Sequence, residues 1–311
     1  MKHSRIFFSF LFIISISPAA ICMQQDPQSQ EKRESLQTAN SVETEEPAAP
    51  RTEDLPFLGR PIVRIEFRGN KAFTSETLFK DIKYVKLGKK FNSSARERLQ
   101  ADLDRLRAML YIESGYLQAR FLKPELENTP AGVKITIPVE EGVAYRAGEI
   151  EIVDAKVFSP DEVRGIIGLK KGQIIKGYSG VNRGIEALKR KYQNRGYVQF
   201  DAFFEPAFYA PVSESNEAIA DVKFVLEEGE RYTVSKISFT GSGAVNDEFL
   251  RTKLSIKAGE VYNYTLLEKS LDQLNRTGIL ELVKEEDVNF ITSEKAKLVE
   301  LVFRLEKKWQ Q

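Results

Sequence analysis

One pattern returns three times in this 311-residue chain, at an interval that limits the folds open to it. Short alternating strands are expected over 62–68, 148–154 and 233–240, and their landmarks Ile65, Ile150 and Ile237 lie 85 and 87 residues apart. Solenoid and propeller repeats run to about 50 residues, so the longer period predicts tandem domains, each with its own core.

Each unit continues in the same way. Thr74, Ser159 and Asn246 stand where an N-cap is needed, since a short polar side chain accepts an orphan backbone N–H. Ser159-Pro160-Asp161-Glu162 adds proline at the first helical position and acid at the positive helix end. A glycine then opens a loop at Gly88, Gly172 and Gly259, 23, 22 and 22 residues after the strand landmarks. A longer amphipathic helix follows, marked by Leu99, Leu103, Leu106 and Leu110, by Val181, Ile185, Leu188 and Tyr192, and by Leu267, Leu271 and Leu274. Steps of three and four residues put each set on one face, expected against the unit's own sheet. Gly115, Gly196 and Gly278 are the expected stops, because glycine adopts the left-handed cap conformation.

Two strands close each unit, over 116–126 and 133–141, 197–206 and 220–228, and 281–290 and 297–306. The fold class is therefore α+β: three tandem β-α-α-β-β domains at 61–143, 144–230 and 231–308, each with two helices on a three-stranded sheet. Glu140-Glu141-Gly142 and Glu227-Glu228-Gly229 end the first two units, and Tyr145 and Tyr232 follow at once. With no linker between them, the units should pack end to end with restricted hinging.

Residues 1–22 read as a secretory signal peptide, with basic Lys2 and Arg5, an apolar run over 6–16 and small residues Pro18, Ala19 and Ala20. The run is shorter than the about 20 residues a membrane span needs. A lipidated Cys22 is the alternative, opposed by the bulk of Ile21. Residues 23–60, polar and poor in large apolar side chains, read as a disordered linker.

His3 and Cys22 are the single histidine and cysteine. Cleavage removes the first and, unless it falls just before Cys22, the second. Histidine-dependent triads, Cys–His pairs and nearly all zinc and haem sites then lack their ligands, and no metal or cofactor is expected. Lys and Arg number 46 against 45 Asp and Glu, which argues against a nucleic-acid partner. Carboxylate and Ser–Lys chemistry stay open. The pairs Glu140/Glu141, Glu227/Glu228 and Glu285/Glu286 are the acid–base candidates. A glycosidase needs two carboxylates facing one cleft, about 5–10 Å apart, whereas neighbours in a strand face opposite sides. A boundary or surface role is expected, and no catalytic residue is assigned.

The order strand-helix-helix-strand-strand carries further marks: first strands ending at Arg68-Gly69-Asn70 and Thr240-Gly241, Tyr-x-x-x-Gly-Tyr at 111–116 and 192–197, and the terminal Glu-Gly. Together these resemble the POTRA, or polypeptide-transport-associated, domain of BamA-like outer-membrane assembly proteins and two-partner secretion transporters. The resemblance spans about 62–307. The third unit, with Leu274-x-x-x-Gly278-Ile279, is similar to the domain that precedes the membrane barrel in those proteins. No barrel strands follow in this sequence, so a stand-alone module and a truncated relative are both expected forms, and barrel insertion is not carried over.

The resemblance implies a non-enzymatic periplasmic scaffold for assembly or translocation of outer-membrane or secreted proteins. Its partners would be unfolded outer-membrane protein segments or a barrel-bearing assembly partner, with only indirect membrane association. The residues add a candidate mechanism. A sheet edge carries unpaired N–H and C=O groups, and an extended segment can add to it as a further strand. The second strand of each unit is the candidate edge. In the second unit Tyr197, Gln199, Asp201, Phe203 and Glu205 share one side, against Val198, Phe200, Ala202 and Phe204 on the other. Those first five form the candidate client-docking edge. Pro124, late in the matching strand of the first unit, suits an edge position. The alternatives are a structural subunit holding one fixed envelope partner, and a carboxylate-dependent hydrolase.

Overall fold

The computed structural model describes residues 51–211, 217–241, 243 and 245–306. The expected signal peptide, the alternative lipidation at Cys22 and the linker up to residue 50 lie outside the described residues.

The first unit contains β1 (Ile62–Arg68), α1 (Ser75–Lys80), α2 (Ala95–Leu106), β2 (Arg120–Phe121), β3 (Glu125–Thr129) and β4 (Gly132–Glu140). The second contains β5 (Ala144–Val153), α3 (Pro160–Ile167), α4 (Arg183–Gln193), β6 (Asp201–Phe208) and β7 (Glu217–Glu227). The third contains β8 (Thr233–Thr240), α5 (Asp247–Thr252), α6 (Tyr264–Arg276), β9 (Val288–Ser293) and β10 (Leu298–Arg304). The last strand of each unit runs down the middle of its sheet. In the second unit β7 lies parallel to β5 and antiparallel to β6, and β10 stands in the same relation to β8 and β9. In the first unit β4 pairs with β1 in parallel, while β2 and β3 together supply the antiparallel edge.

The central strands earn that place by strict alternation. Val133, Ile135, Ile137 and Val139 are buried on one side of β4, and Ala218, Ala220, Val222, Phe224 and Leu226 on one side of β7. Each packs beneath its unit's helices, so there are three cores, centred on Leu103, Leu106 and Tyr111, on Leu188, Tyr192 and Phe224, and on Leu267, Leu274 and Phe303. Each such side chain contributes about 1.5–3 kcal/mol of hydrophobic stabilisation. The short helices start at the expected caps: Thr77 N–H donates to Thr74 Oγ1, Ser159 forms a reciprocal capping box with Glu162, and Glu248 N–H donates to Asn246 Oδ1.

Four local features depart from simple periodicity. Each first strand carries a bulge, between Ile62 and Arg64, Ala147 and Ile150, and in β8 opposite Val299–Glu300. An extra residue there turns Val63 outward and Ile62 inward, because two residues oppose one on the partner strand. The helix α2 runs into a π-turn at Arg107–Tyr111, which advances the register by one residue. Tyr111, rather than Leu110, therefore takes the buried place held by Tyr192 in the second unit. The second strands begin late. After Gly115 and Gly196 the chain makes tight turns, with Ala119 N–H donating to Tyr116 O and Phe200 N–H to Tyr197 O, so β6 starts at Asp201 rather than at 197. Finally, residues 52–57, at the end of the expected linker, form a 3-10 turn on the first unit. Asp54 is 2% exposed and accepts from Arg96 Nε at 2.5 Å, and Phe57 and Leu58 pack on the core. Among the described residues no helix is long and apolar enough to cross a membrane.

Candidate functional site

The strand β6 is an outer strand of its sheet, with β7 on one side. Tyr209 N–H donates to Ile219 O at 3.0 Å, and this fixes the parity of the ladder, since bonded and non-bonded pairs alternate in an antiparallel pair. Asp201, Phe203, Glu205 and Ala207 direct their backbone groups at β7. Ala202, Phe204, Pro206 and Phe208 direct theirs away from it, at the free edge. Among the described residues no backbone hydrogen bond from outside the sheet reaches 202–208.

That edge is partly closed by its own residues. Pro206 sits where a missing N–H would have faced outward, the placement at which a strand tolerates proline. The Ala202 N–H already donates to Asp201 Oδ1 at 2.9 Å. Phe204 thus offers both N–H and C=O, flanked by the free carbonyls of Ala202 and Pro206. Both devices are of the kind that protects edges from indiscriminate pairing.

The side chains divide cleanly. Phe204 is half-buried, its ring 5.6 Å from that of Phe224. Phe203 points to the other face and is 43% exposed. It stands opposite Val225, which stands opposite Val153, making an apolar row across the sheet. Asp201 stands opposite Glu227, a like-charged pair, and Glu205 opposite Lys223. The Lys223 ammonium lies 3.6 Å from Glu151 on the far strand.

Tyr197 and Gln199, expected on this edge, lie before the strand in a joint between units. Tyr197 packs its ring edge-on to Tyr192, and Gln199 Oε1 accepts from the Tyr232 hydroxyl at 2.7 Å. Gly196 O accepts from Tyr232 N–H at 2.9 Å, and Val198 packs into the third core. The first joint repeats every part: Gly115 O accepts from Tyr145 N–H at 2.9 Å, the Tyr145 hydroxyl donates to Gln118 Oε1 at 2.7 Å, and Leu117 enters the second core. Across each joint a residue of one unit also accepts backbone N–H groups at the start of the next unit's long helical stretch, in the π-turn Gly177–Asn182 that leads into α4 and in the first turn of α6. Glu113 Oε1 accepts from Tyr178 N–H and, at 2.9 Å, from Ser179 N–H, while Asn194 Oδ1 accepts from Thr265 N–H at 2.8 Å. Periodicity alone did not reveal these residues. Their signal is the recurring Gly115-Tyr-Leu-Gln118 and Gly196-Tyr-Val-Gln199.

The paired glutamates are split. Glu140 forms an ion pair with Arg120, while Glu141 turns in and accepts from Tyr111 Oη at 2.9 Å, Lys71 N–H at 2.8 Å and Ala72 N–H at 2.9 Å. Glu228 holds Tyr192 Oη at 2.7 Å, Lys156 N–H at 2.7 Å and Val157 N–H at 2.9 Å in the same way. Burial, reinforced by the bond to the glutamate, pushes both tyrosine hydroxyls well above their ordinary range. In the third pair Glu285 accepts from the Tyr264 hydroxyl and Glu286 pairs with Lys284.

The sequence model of the POTRA family, described as a surface antigen variable number repeat, matches three times, over residues 61–142, 145–229 and 232–308. The chain belongs to the POTRA family. Its three POTRA domains are similar to the crystal structure of Haemophilus influenzae BamA POTRA3-5, with a TM-score of 0.65 at 23% identity over 80% of this chain and 98% of that one. A protein of Treponema pallidum (strain Nichols), named as a candidate outer membrane protein assembly factor, is 29% identical over 68% of this chain and 25% of its own length. The outer membrane protein assembly factor BamA of Neisseria meningitidis serogroup B is 24% identical over 72% of this chain and 28% of its own. The chain thus spans about a quarter of the length of these curated relatives.

Proposed function

We propose that this chain is a non-enzymatic periplasmic scaffold for outer-membrane protein assembly, and that it holds extended client segments by strand addition at the free edge of β6. The POTRA family and the assembly-factor relatives support the setting. The observation that carries the mechanism is the outward-facing Phe204 N–H and C=O, with the Ala202 and Pro206 carbonyls beside them. Main-chain hydrogen bonds to such an edge tolerate many client sequences, as a module serving varied β-rich chains requires. The partly closed edge limits the docked length to a few residues, so each contact is weak and reversible. The paired glutamates serve as turn clamps and surface ion pairs in this reading.

A photo-crosslinker at Ala207, whose side chain is exposed on β6, tests it in cells. A ladder of β-barrel precursors of varied size is the expected result. A single constant band would instead favour a subunit holding one fixed envelope partner, or a barrel-bearing one.

A further inference from the structure

The exposed side of β6 carries a pattern that strand addition alone does not require. Asp201, Phe203 and Glu205 alternate along it, an aromatic ring between two carboxylates. Neither carboxylate is neutralised within its own sheet. Among the described residues no ion pair engages Asp201 or Glu205, and Asp201 faces Glu227 across the ladder. Like charges directly opposite each other destabilise a sheet. Among the described residues of the adjoining rows Lys223 is the one cation; it stands opposite Glu205, but its ammonium pairs with Glu151 at 3.6 Å. The inner side of the strand, Ala202 and Phe204, is apolar and turned to the core.

We infer that the β6 edge selects its segment by charge: it takes an extended polypeptide segment that carries basic, apolar and basic side chains at alternate positions. This rests on the docking reading above. The argument is one of register. An added strand lying opposite residues 201–205 places three side chains of its outer face beside Asp201, Phe203 and Glu205, at the about 4.5–5.5 Å spacing of direct cross-strand neighbours. A ring or aliphatic side chain there extends the Phe203–Val225–Val153 row. A Lys or Arg on each side supplies the cation that Asp201 and Glu227 lack at one end and Glu205 at the other. The pattern reads the same in both directions, so it holds for parallel and antiparallel addition.

The test uses the full chain and two fluorescent probe peptides, one built around Lys-Thr-Phe-Thr-Lys and the other around Glu-Thr-Phe-Thr-Glu, followed by anisotropy at low salt. The basic peptide should bind about tenfold tighter, the product of two cross-strand charge pairs of a few-fold each, and the difference should shrink as salt screens it. Two N-methylated versions, one at both Thr and one at the Phe and both Lys, remove the amides that face β6 in antiparallel and in parallel addition respectively, and one of the two should abolish binding. Glu205→Gln should reduce the preference, and Asp201→Lys with Glu205→Lys should reverse it. The Gln variant keeps the test valid if the double variant folds poorly. Equal affinity for both peptides, with binding still sensitive to N-methylation, would overturn charge selection and leave docking standing. Absence of any N-methyl-sensitive binding would overturn both.

Discussion

A single glutamate shows how much one position does here. Glu141 closes the first domain by accepting the N–H groups of Lys71 and Ala72 and the hydroxyl of Tyr111. Glu141→Ala strands the buried Tyr111 hydroxyl and two part-buried amides, and a buried donor without a partner costs about 1–3 kcal/mol when water cannot reach it. We expect a loss of about 2 kcal/mol, read as an earlier denaturant transition, and a loss below about 0.5 kcal/mol would contradict the clamp. The same contacts set a pH dependence. Burial first, and then the glutamate, raises the Tyr111 and Tyr192 hydroxyls above their unfolded value near pH 10. A raised pKa in the folded state stabilises fully below the unfolded pKa and is lost above it. Melting temperature should hold up to about pH 10 and then fall, with absorbance at the tyrosinate band rising only as the chain unfolds. The Glu-Glu-Gly spelling marked a boundary, but that one glutamate turns in to hold a loop about 70 residues earlier is set by packing.

Among the elements, β6 decides most, and its polarity is testable by proline. The Glu205 N–H points at β7, so Glu205→Pro should remove a ladder bond and cost about 2 kcal/mol. Pro206→Ala should leave thermal stability within about 0.5 kcal/mol, because the restored N–H meets solvent. The reverse order in thermal melts would mean the parity of the strand is opposite. Helix and strand identities were readable because a period of 3.6 or 2 survives in the side chains. What stayed hidden was each place where the backbone changes count: the π-turn that substitutes Tyr111 for Leu110, the bulge that turns Val63 out, and the turn over 197–200 that takes Gln199 off the edge. One added or absorbed residue shifts a face without altering composition. Asp201 and Pro206 gained meaning only once the ladder parity was known.

At the scale of the whole molecule, the three domains are joined as closely as they are folded. The period of 85 and 87 residues exposed the repeat, and the missing linkers pointed to tight junctions. The joints themselves were not readable, because a Gly-Tyr-Leu-Gln stretch looks like the start of a strand until the next domain is set against it. Gly196 has a φ of 99°, and an added Cβ would meet Val261 Cγ1 at 2.8 Å and Tyr232 O at 3.1 Å. Gly196→Ala should therefore loosen the second joint at a cost of about 2 kcal/mol. Spin labels on the second and third domains should then report a broader distance distribution, and an unchanged one would show that the joint does not fix the domains.

Docking at the β6 edge is the central claim, and amide hydrogen exchange at Phe204 tests it most directly. The N–H is unpaired in the free chain, so it should exchange fast, and an extended β-rich client segment should slow it about tenfold or more when bound. The Glu205 amide, already bonded to β7, should change little. Binding of the segment with no change in Phe204 exchange would contradict strand addition at this edge.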